Sequence, residues 1–137
     1  MIAAVRDDEG RLLMIRSTDS DRWTLPGGPM HVGESVADAA VRTIQDQSGL
    51  RIEIIGLVGL YTDVGHVTAY DTGEVRQEFS VCFHARPLGG ELRRNSGTDA
   101  GEAGWVTIED LESLSLHPTT QIRVNDALAE RSRPRIA

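Results

Sequence analysis

The chain is 137 residues long and carries 21 acidic and 14 basic residues, which gives a formal charge of −7. That length suits one domain with one hydrophobic core, and we expect residues 1–137 to form it. The negative charge repels polyanions and argues against nonspecific binding to DNA or RNA. The apolar runs fall short of the roughly 20 residues that a membrane span needs, and the opening run is too short for a signal peptide.

Strands are predicted along much of the chain, from runs that alternate apolar and polar residues or that are rich in β-branched ones. The runs on either side of residues 7–10 predict a first hairpin, and those on either side of residues 71–73 predict a second. The third run is stopped by Pro26 and two glycines. The predicted strands cover residues 2–5, 12–15, 23–25, 52–61, 66–70, 75–85 and 105–106.

Helices are predicted from capping residues and from apolar spacing. Ser35 suits an N-cap, with Asp38 three positions on, and Gly49 suits a left-handed C-cap; together they predict a helix over Val36–Ser48. A short second helix follows the last predicted strand, and a third runs from Pro118 to about residue 130. The basic tail, residues 131–137, is expected to fray. Strands with interspersed helices predict an α/β architecture, with a mixed sheet between helices.

Cys82 is the one cysteine of the sequence, so no internal disulfide can form. This suits a reducing compartment, and we expect the protein in the cytoplasm. The thiol has two interpretations, a nucleophile or a buried strand residue. Its position in an alternating apolar run favours the buried strand residue.

Residues 23–50 combine a strand, a glycine-containing loop and the best-defined helix. Glycines let a loop backbone approach a ligand and expose carbonyl oxygens. At 100° per residue, we expect Thr43, Asp46 and Gln47 on an arc roughly opposite the apolar stripe of the helix. Mg²⁺ needs hard oxygen ligands gathered in one place, with room for water and phosphates. The strand, the loop and the polar face of the helix together predict a Mg²⁺ site in this segment.

This segment resembles the signature of the Nudix (MutT-like) hydrolase family, G-x5-E-x7-R-E-U-x-E-E-x-G-U, where U is aliphatic. The spacing matches throughout, and six positions match in residue type: Gly28, Glu34, Arg42, Ile44, Gly49 and Leu50. The order of predicted elements is similar over nearly the whole chain. The resemblance implies the Nudix fold, an α/β/α sandwich in which helices flank a mixed β-sheet.

Three positions depart from the family signature. Family members carry metal-binding glutamates where this chain has Thr43, Asp46 and Gln47. Threonine and glutamine offer neutral oxygens, which bind a divalent ion far less strongly than a carboxylate does. We therefore expect Mg²⁺ or Mn²⁺ to be held weakly, or mainly together with the phosphates of a substrate.

The resemblance implies metal contacts for the carbonyl of Gly27, for Asp46 and for Asp99. Asp46 is a catalytic candidate for the same reason. The alternative for each acid is a solvated surface side chain, and for Asp99 that alternative is the favoured one.

The resemblance also implies catalytic roles for Glu34, Arg42 and Glu102, of which the glutamates are candidate bases. An ion pair between Glu34 and Arg42 that braces the helix is an equal alternative. His31 in the signature loop is a candidate for substrate phosphate, and Glu78 for the substrate pocket. A solvated surface position is the favoured alternative for Glu78 and Glu102.

The implied activity is metal-dependent hydrolysis of a diphosphate bond in a nucleoside diphosphate linked to another group, such as a nucleotide or a nucleotide-sugar. The alternative is a catalytically impaired module that binds or senses a nucleotide. Either way the expected partner is a small nucleotide derivative, not a nucleic acid polymer or a membrane. A homodimer is a further expectation, from the half-buried strand edges.

Overall fold

The computed structural model describes residues 1–18, 20–93, 101–129 and 131–137. Its elements are runs of consecutive strands with helices interspersed. In chain order they are β1 Ile2–Val5, β2 Leu12–Arg16, β3 Trp23–Thr24, α1 Val36–Ser48, β4 Leu50–Tyr61, β5 Val67–Ala69, β6 Val75–Gln77, β7 Ser80–Gly90, β8 Glu102–Val106, α2 Ile108–Leu111, α3 Pro118–Leu128 and β9 Arg135–Ile136.

Helix α1 has the bounds that its capping residues predict. The Ser35 hydroxyl accepts a hydrogen bond from the Asp38 amide at 3.1 Å, which satisfies one of the free amides of the first turn. Gly49 ends the helix in the left-handed conformation, with φ of 81°. Local sequence signals therefore fix where this helix begins and ends.

Two sheets form the central layer. The first is mixed and has the strand order β1-β7-β4-β9, while the second is antiparallel with the order β3-β2-β8. The predicted hairpin of β1 and β2 is wrong: β1 pairs in parallel with β7, from Ile2 opposite Cys82, and meets β2 through a single bridge between Arg6 and Leu12. The second hairpin is confirmed in a shorter form, as β5 and β6, and β7 is a separate strand.

Both faces of this layer are apolar and each is covered by helices. Ala3 and Val5 of β1 pack with Ile44 of α1, whereas Ala4, between them, packs with Val124 of α3. Side chains of a strand alternate between faces, so one strand contributes to both cores. This confirms the α/β/α sandwich with a mixed sheet between helices.

Cys82 lies in β7 and is fully buried. Burial raises the pKa of its thiol to about 12. The interpretation as a buried strand residue is confirmed, because a thiol must ionise to act as a nucleophile.

The tail that was expected to fray, residues 131–137, is paired at its end in the structure. Strand β9 pairs in parallel with β4, with Arg135 opposite Gly59, and the Thr62 amide donates to the Ala137 carbonyl at 2.9 Å. The backbone amide and carbonyl groups of the tail find hydrogen-bond partners at the open edge of the sheet. The basic composition of the tail does not predict this pairing. Across the residues that are described, no helix is both long and apolar enough to cross a membrane.

Candidate functional site

The glycine loop lies directly after β3, where Leu25 and Pro26 are buried. Gly27 forms an antiparallel bridge with Ile2, so the loop continues alongside β1. A Cβ added at Gly27 would lie 2.6 Å from the Met1 carbonyl oxygen, a distance that Cβ atoms do not tolerate. Glycine at this position therefore permits the close approach of two backbones.

Gln47 joins helix α1 to this loop through its side-chain amide. The Gly27 amide donates to Gln47 Oε1 at 3.0 Å, and Gln47 Nε2 donates to the Gly27 carbonyl at 2.9 Å. The backbone amide and carbonyl of Gly27 are thus both paired with the side chain of Gln47, 20 positions later in the chain. The carbonyl that the family resemblance assigned to a metal is the acceptor of the second bond.

Thr43 does not lie opposite the apolar stripe of α1 as predicted. It is 5% exposed, and a Cβ added at Gly28 would lie 3.0 Å from its Cγ2. The prediction failed because, at 100° per residue, Thr43 lies only about 110° from the centre of the apolar stripe rather than opposite it. The Gly27–Gly28 loop covers this side of α1. Thr43 Oγ1 is buried and makes no hydrogen bond within the residues described.

Glu34 and Arg42 form a two-pronged ion pair at the entrance to α1. Arg42 donates to the two carboxylate oxygens of Glu34 at 2.6 and 3.0 Å, and to the Pro29 carbonyl at 3.0 Å. The second carboxylate oxygen also accepts from the His31 amide at 2.8 Å. These bonds, that of Arg42 foremost, hold the pKa of Glu34 down at about 2. The carboxylate braces the loop against the helix and stays ionised at neutral pH.

Of the other predicted site residues, Asp46 and His31 lie beside this pair, and Glu102 lies in a different strand. Asp46 is largely exposed, with its carboxylate 3.5 Å from Arg42 Nη1. The His31 ring is also exposed, 3.9 Å from Glu34. Glu102 lies in β8, across from Arg16, at 3.9 Å from that guanidinium. Asp99, a predicted metal ligand, lies outside the described residues.

The donor set present does not fit a preassembled site for a divalent cation. In the described part of the chain, no group of three His, Cys, Asp or Glu side chains is placed to hold a metal ion. The Gly27 carbonyl accepts from an amide, and Asp46 lies beside the Arg42 cation. A cation at the Gly27 carbonyl oxygen would meet the positive partial charge of the Gln47 amide, and one at the Asp46 carboxylate would meet the charge of Arg42. Neither position supplies the additional anionic ligands that a divalent cation prefers.

A cavity of about 660 Å³ opens on the other side of the glycine loop. Gly27, Gly28 and Pro29 form one wall, and Glu78 lines it as well. Glu34, Arg42, Asp46, His31 and Glu102 are not among the described residues that line it. The loop is therefore shared: one side faces the cavity, and the other is held by Arg42 and Gln47.

The opposite wall contains a buried polar cluster that was not predicted. Arg123 of α3 donates through one nitrogen to Asp63 and to Ser80, at 2.6 Å each, and through another to the Thr119 carbonyl at 2.8 Å. Its guanidinium also lies over the Tyr61 ring, 4.4 Å from the centroid. A lone arginine among the helical apolar positions was the available signal, because arginine is rarely buried without a partner.

Known proteins similar to this chain were found by sequence and by structure. A family model described as NUDIX domain matches residues 1–128. A MutT-like protein of Streptomyces ambofaciens is 32% identical over 124 residues, which cover 90% of this chain and 71% of that protein. An ADP-ribose pyrophosphatase of Methanocaldococcus jannaschii is 28% identical over 122 residues, 83% of this chain and 64% of that protein. The crystal structure of an ADP-ribose pyrophosphatase from Streptococcus suis superposes with a TM-score of 0.72 at 22% identity, covering 98% of this chain and 93% of that one.

Proposed function

The chain belongs to the NUDIX domain family, and from this membership we propose that the cavity beside Gly27 and Gly28 binds a nucleoside diphosphate linked to a further group. The family and its named pyrophosphatases make this chain a Nudix-type pyrophosphohydrolase.

The observation that carries the proposal is the glycine loop, which faces the cavity on one side and the Arg42–Glu34 pair on the other. The volume of about 660 Å³ lies within the usual range for small-molecule sites. Asp63 and Glu78 on its walls offer acceptors for the hydroxyl and amino groups of a nucleoside. Phosphates that extend from the cavity past Pro29 would meet Arg42 and the exposed His31, which lie outside the cavity.

In the reaction, water forms a bond to phosphorus while one P–O bond of the diphosphate breaks in line with it. Arg42 orients the loop and offers positive charge to the phosphates. Glu34 is a poor acceptor for the proton of water, because its low pKa and its two bonded oxygens disfavour protonation. We propose Glu34 as a positioning residue and Glu102 as the candidate base; Asp46, Asp99 and Glu78 keep their predicted roles as proposals.

Nudix hydrolases generally depend on a divalent metal. We propose Mg²⁺ or Mn²⁺ for this chain, brought mainly by the phosphates of the substrate, because the described donors do not make a site on their own. We also propose that residues 1–137 form one domain, located in the cytoplasm. For a homodimer, the exposed apolar side chains of the β5–β6 hairpin, such as Val67 and Val75, are the proposed contact, and light scattering of the purified protein tests it.

The test is phosphorus NMR of a substrate panel with Mg²⁺ or Mn²⁺: ADP-ribose, a nucleotide-sugar and a nucleoside triphosphate. We expect cleavage of a diphosphate bond in at least one. Arg42→Ala should lower kcat/KM by about a hundredfold, through lost positioning and lost charge stabilisation. Arg86→Ala is the matched control, because Arg86 also pairs with a glutamate, Glu53, but on the exposed surface. Folded protein that cleaves none of the panel would contradict the proposal.

A second candidate function is a module that binds the nucleotide without efficient turnover. The neutral Thr43 and Gln47 at signature positions favour it. Calorimetric binding of ADP-ribose without hydrolysis would support this function, as would a large gain of hydrolysis in the Thr43→Glu, Gln47→Glu double variant. Because Thr43 is buried, circular dichroism of that variant must first establish that it folds.

A further inference from the structure

The contact between Gln47 and Gly27 is specific for an amide side chain. One half of Gln47 accepts from the Gly27 amide, and the other half donates to the Gly27 carbonyl. A carboxylate at the same position can accept but has no hydrogen to donate when ionised. Glutamate, the residue of the family signature, would therefore leave this carbonyl without its partner.

The amide occupies the space in which a cation would join the same two groups. By the family resemblance, the Gly27 carbonyl and the side chain at position 47 are both ligands of one ion. Here they bond to each other at 2.9 Å, and the hydrogens of Nε2 direct positive partial charge at the carbonyl oxygen. The neighbouring acid, Asp46, is balanced by Arg42 at 3.5 Å.

We propose that Gln47 is a positioning residue that replaces a divalent cation in tying helix α1 to the Gly27–Gly28 wall of the cavity. In the ligand-free protein this wall is held by neutral hydrogen bonds and requires no metal ion. The inference concerns the same site as the proposed function, and its test uses protein without substrate. Absence of hydrolysis would therefore leave it unaffected.

The test compares the wild type with Gln47→Glu and Gln47→Ala, by Mn²⁺ titration followed with electron paramagnetic resonance. The new carboxylate of Gln47→Glu joins Asp46 and frees the Gly27 carbonyl, so we expect Mn²⁺ to bind at least about tenfold more tightly than to the wild type. Gln47→Ala removes both hydrogen bonds without adding charge and should show no such gain.

Hydrogen exchange of the Gly27 amide gives a second readout. We expect it to be protected in metal-free wild type, unchanged by added Mg²⁺, and at least about tenfold faster in Gln47→Ala, which opens the contact. Protection that appears in the wild type only with Mg²⁺ would overturn the proposal. The proposal would also be overturned if the wild type bound Mn²⁺ as tightly as folded Gln47→Glu does. If Gln47→Glu does not fold, the exchange rates of wild type and Gln47→Ala decide alone.

Discussion

Replacing Asp63 with asparagine should leave the Arg123 guanidinium buried without its carboxylate partner. The side chains of this pair are 5% and 13% exposed, for the arginine and the aspartate respectively, and the contact is 2.6 Å. Asp63 has a φ of 51°, a left-handed conformation that asparagine also adopts readily. The substitution therefore removes charge while it keeps both the size of the side chain and the path of the backbone.

The expected cost follows from the burial of the pair. Breaking a buried ion pair by removing one partner costs about 3–5 kcal/mol, because the remaining charge is left uncompensated. Ser80, the Thr119 carbonyl and the Tyr61 ring still contact the guanidinium, so we expect the lower end of that range. A loss of about 3 kcal/mol corresponds to a fall in Tm of roughly 10 °C for a chain of this length.

Urea unfolding at pH 7, followed by circular dichroism, measures the free energy of unfolding. Glu53→Gln is the matched control: its partner Arg86 and Glu53 are 59% and 43% exposed, and we expect a change below about 1 kcal/mol. An equally small change for Asp63→Asn, with an unchanged m-value, would mean that Arg123 reaches water or another acceptor. The account of a buried charged wall in the cavity would then be wrong.

Three further predictions concern the site and the core. The pKa of Glu34 is lowered from 4.5 to about 2, so its ion pair with Arg42 should stabilise the fold fully above pH 4.5 and lose that contribution as the pH falls towards 2. The urea midpoints of wild type and Glu34→Gln should therefore converge from pH 7 to pH 2.5. A constant difference between the two midpoints would contradict the pairing. Cys82 should resist a disulfide thiol reagent at pH 8 until urea unfolds the chain, since its thiol is buried with a pKa of about 12, and labelling of the native protein would speak against this. Gly27→Ala should lower the free energy of unfolding in urea by about 1–3 kcal/mol, because its Cβ would meet the Met1 carbonyl. Gly65→Ala is the control and should be nearly neutral, because a Cβ there lies in open space. Equal losses for the two variants would rule out the close contact at Gly27.

The sequence predicted those features whose causes lie within a few residues. Helix α1 was correct to both ends because Ser35 and Gly49 are its own caps. The pairing of β1 was wrong because its partner, β7, begins some 80 residues later and apolar alternation does not identify a partner. The placement of Thr43 opposite the apolar stripe was wrong because the helical period sets it only about 110° from the stripe centre. A loop distant in sequence then covers it.

The two neutral signature positions have one physical consequence in common. Carboxylates on one helix turn repel each other unless a cation lies between them, and this chain already has a charge of −7. Thr43 presents a methyl group to Gly28, and Gln47 presents an amide to Gly27, so α1 can lie against the loop without a counter-ion. We infer that affinity for a diphosphate must then come from Arg42 and from an ion that arrives with the substrate. On this proposal, a metal ion is required by the complex with the substrate and not by the ligand-free protein.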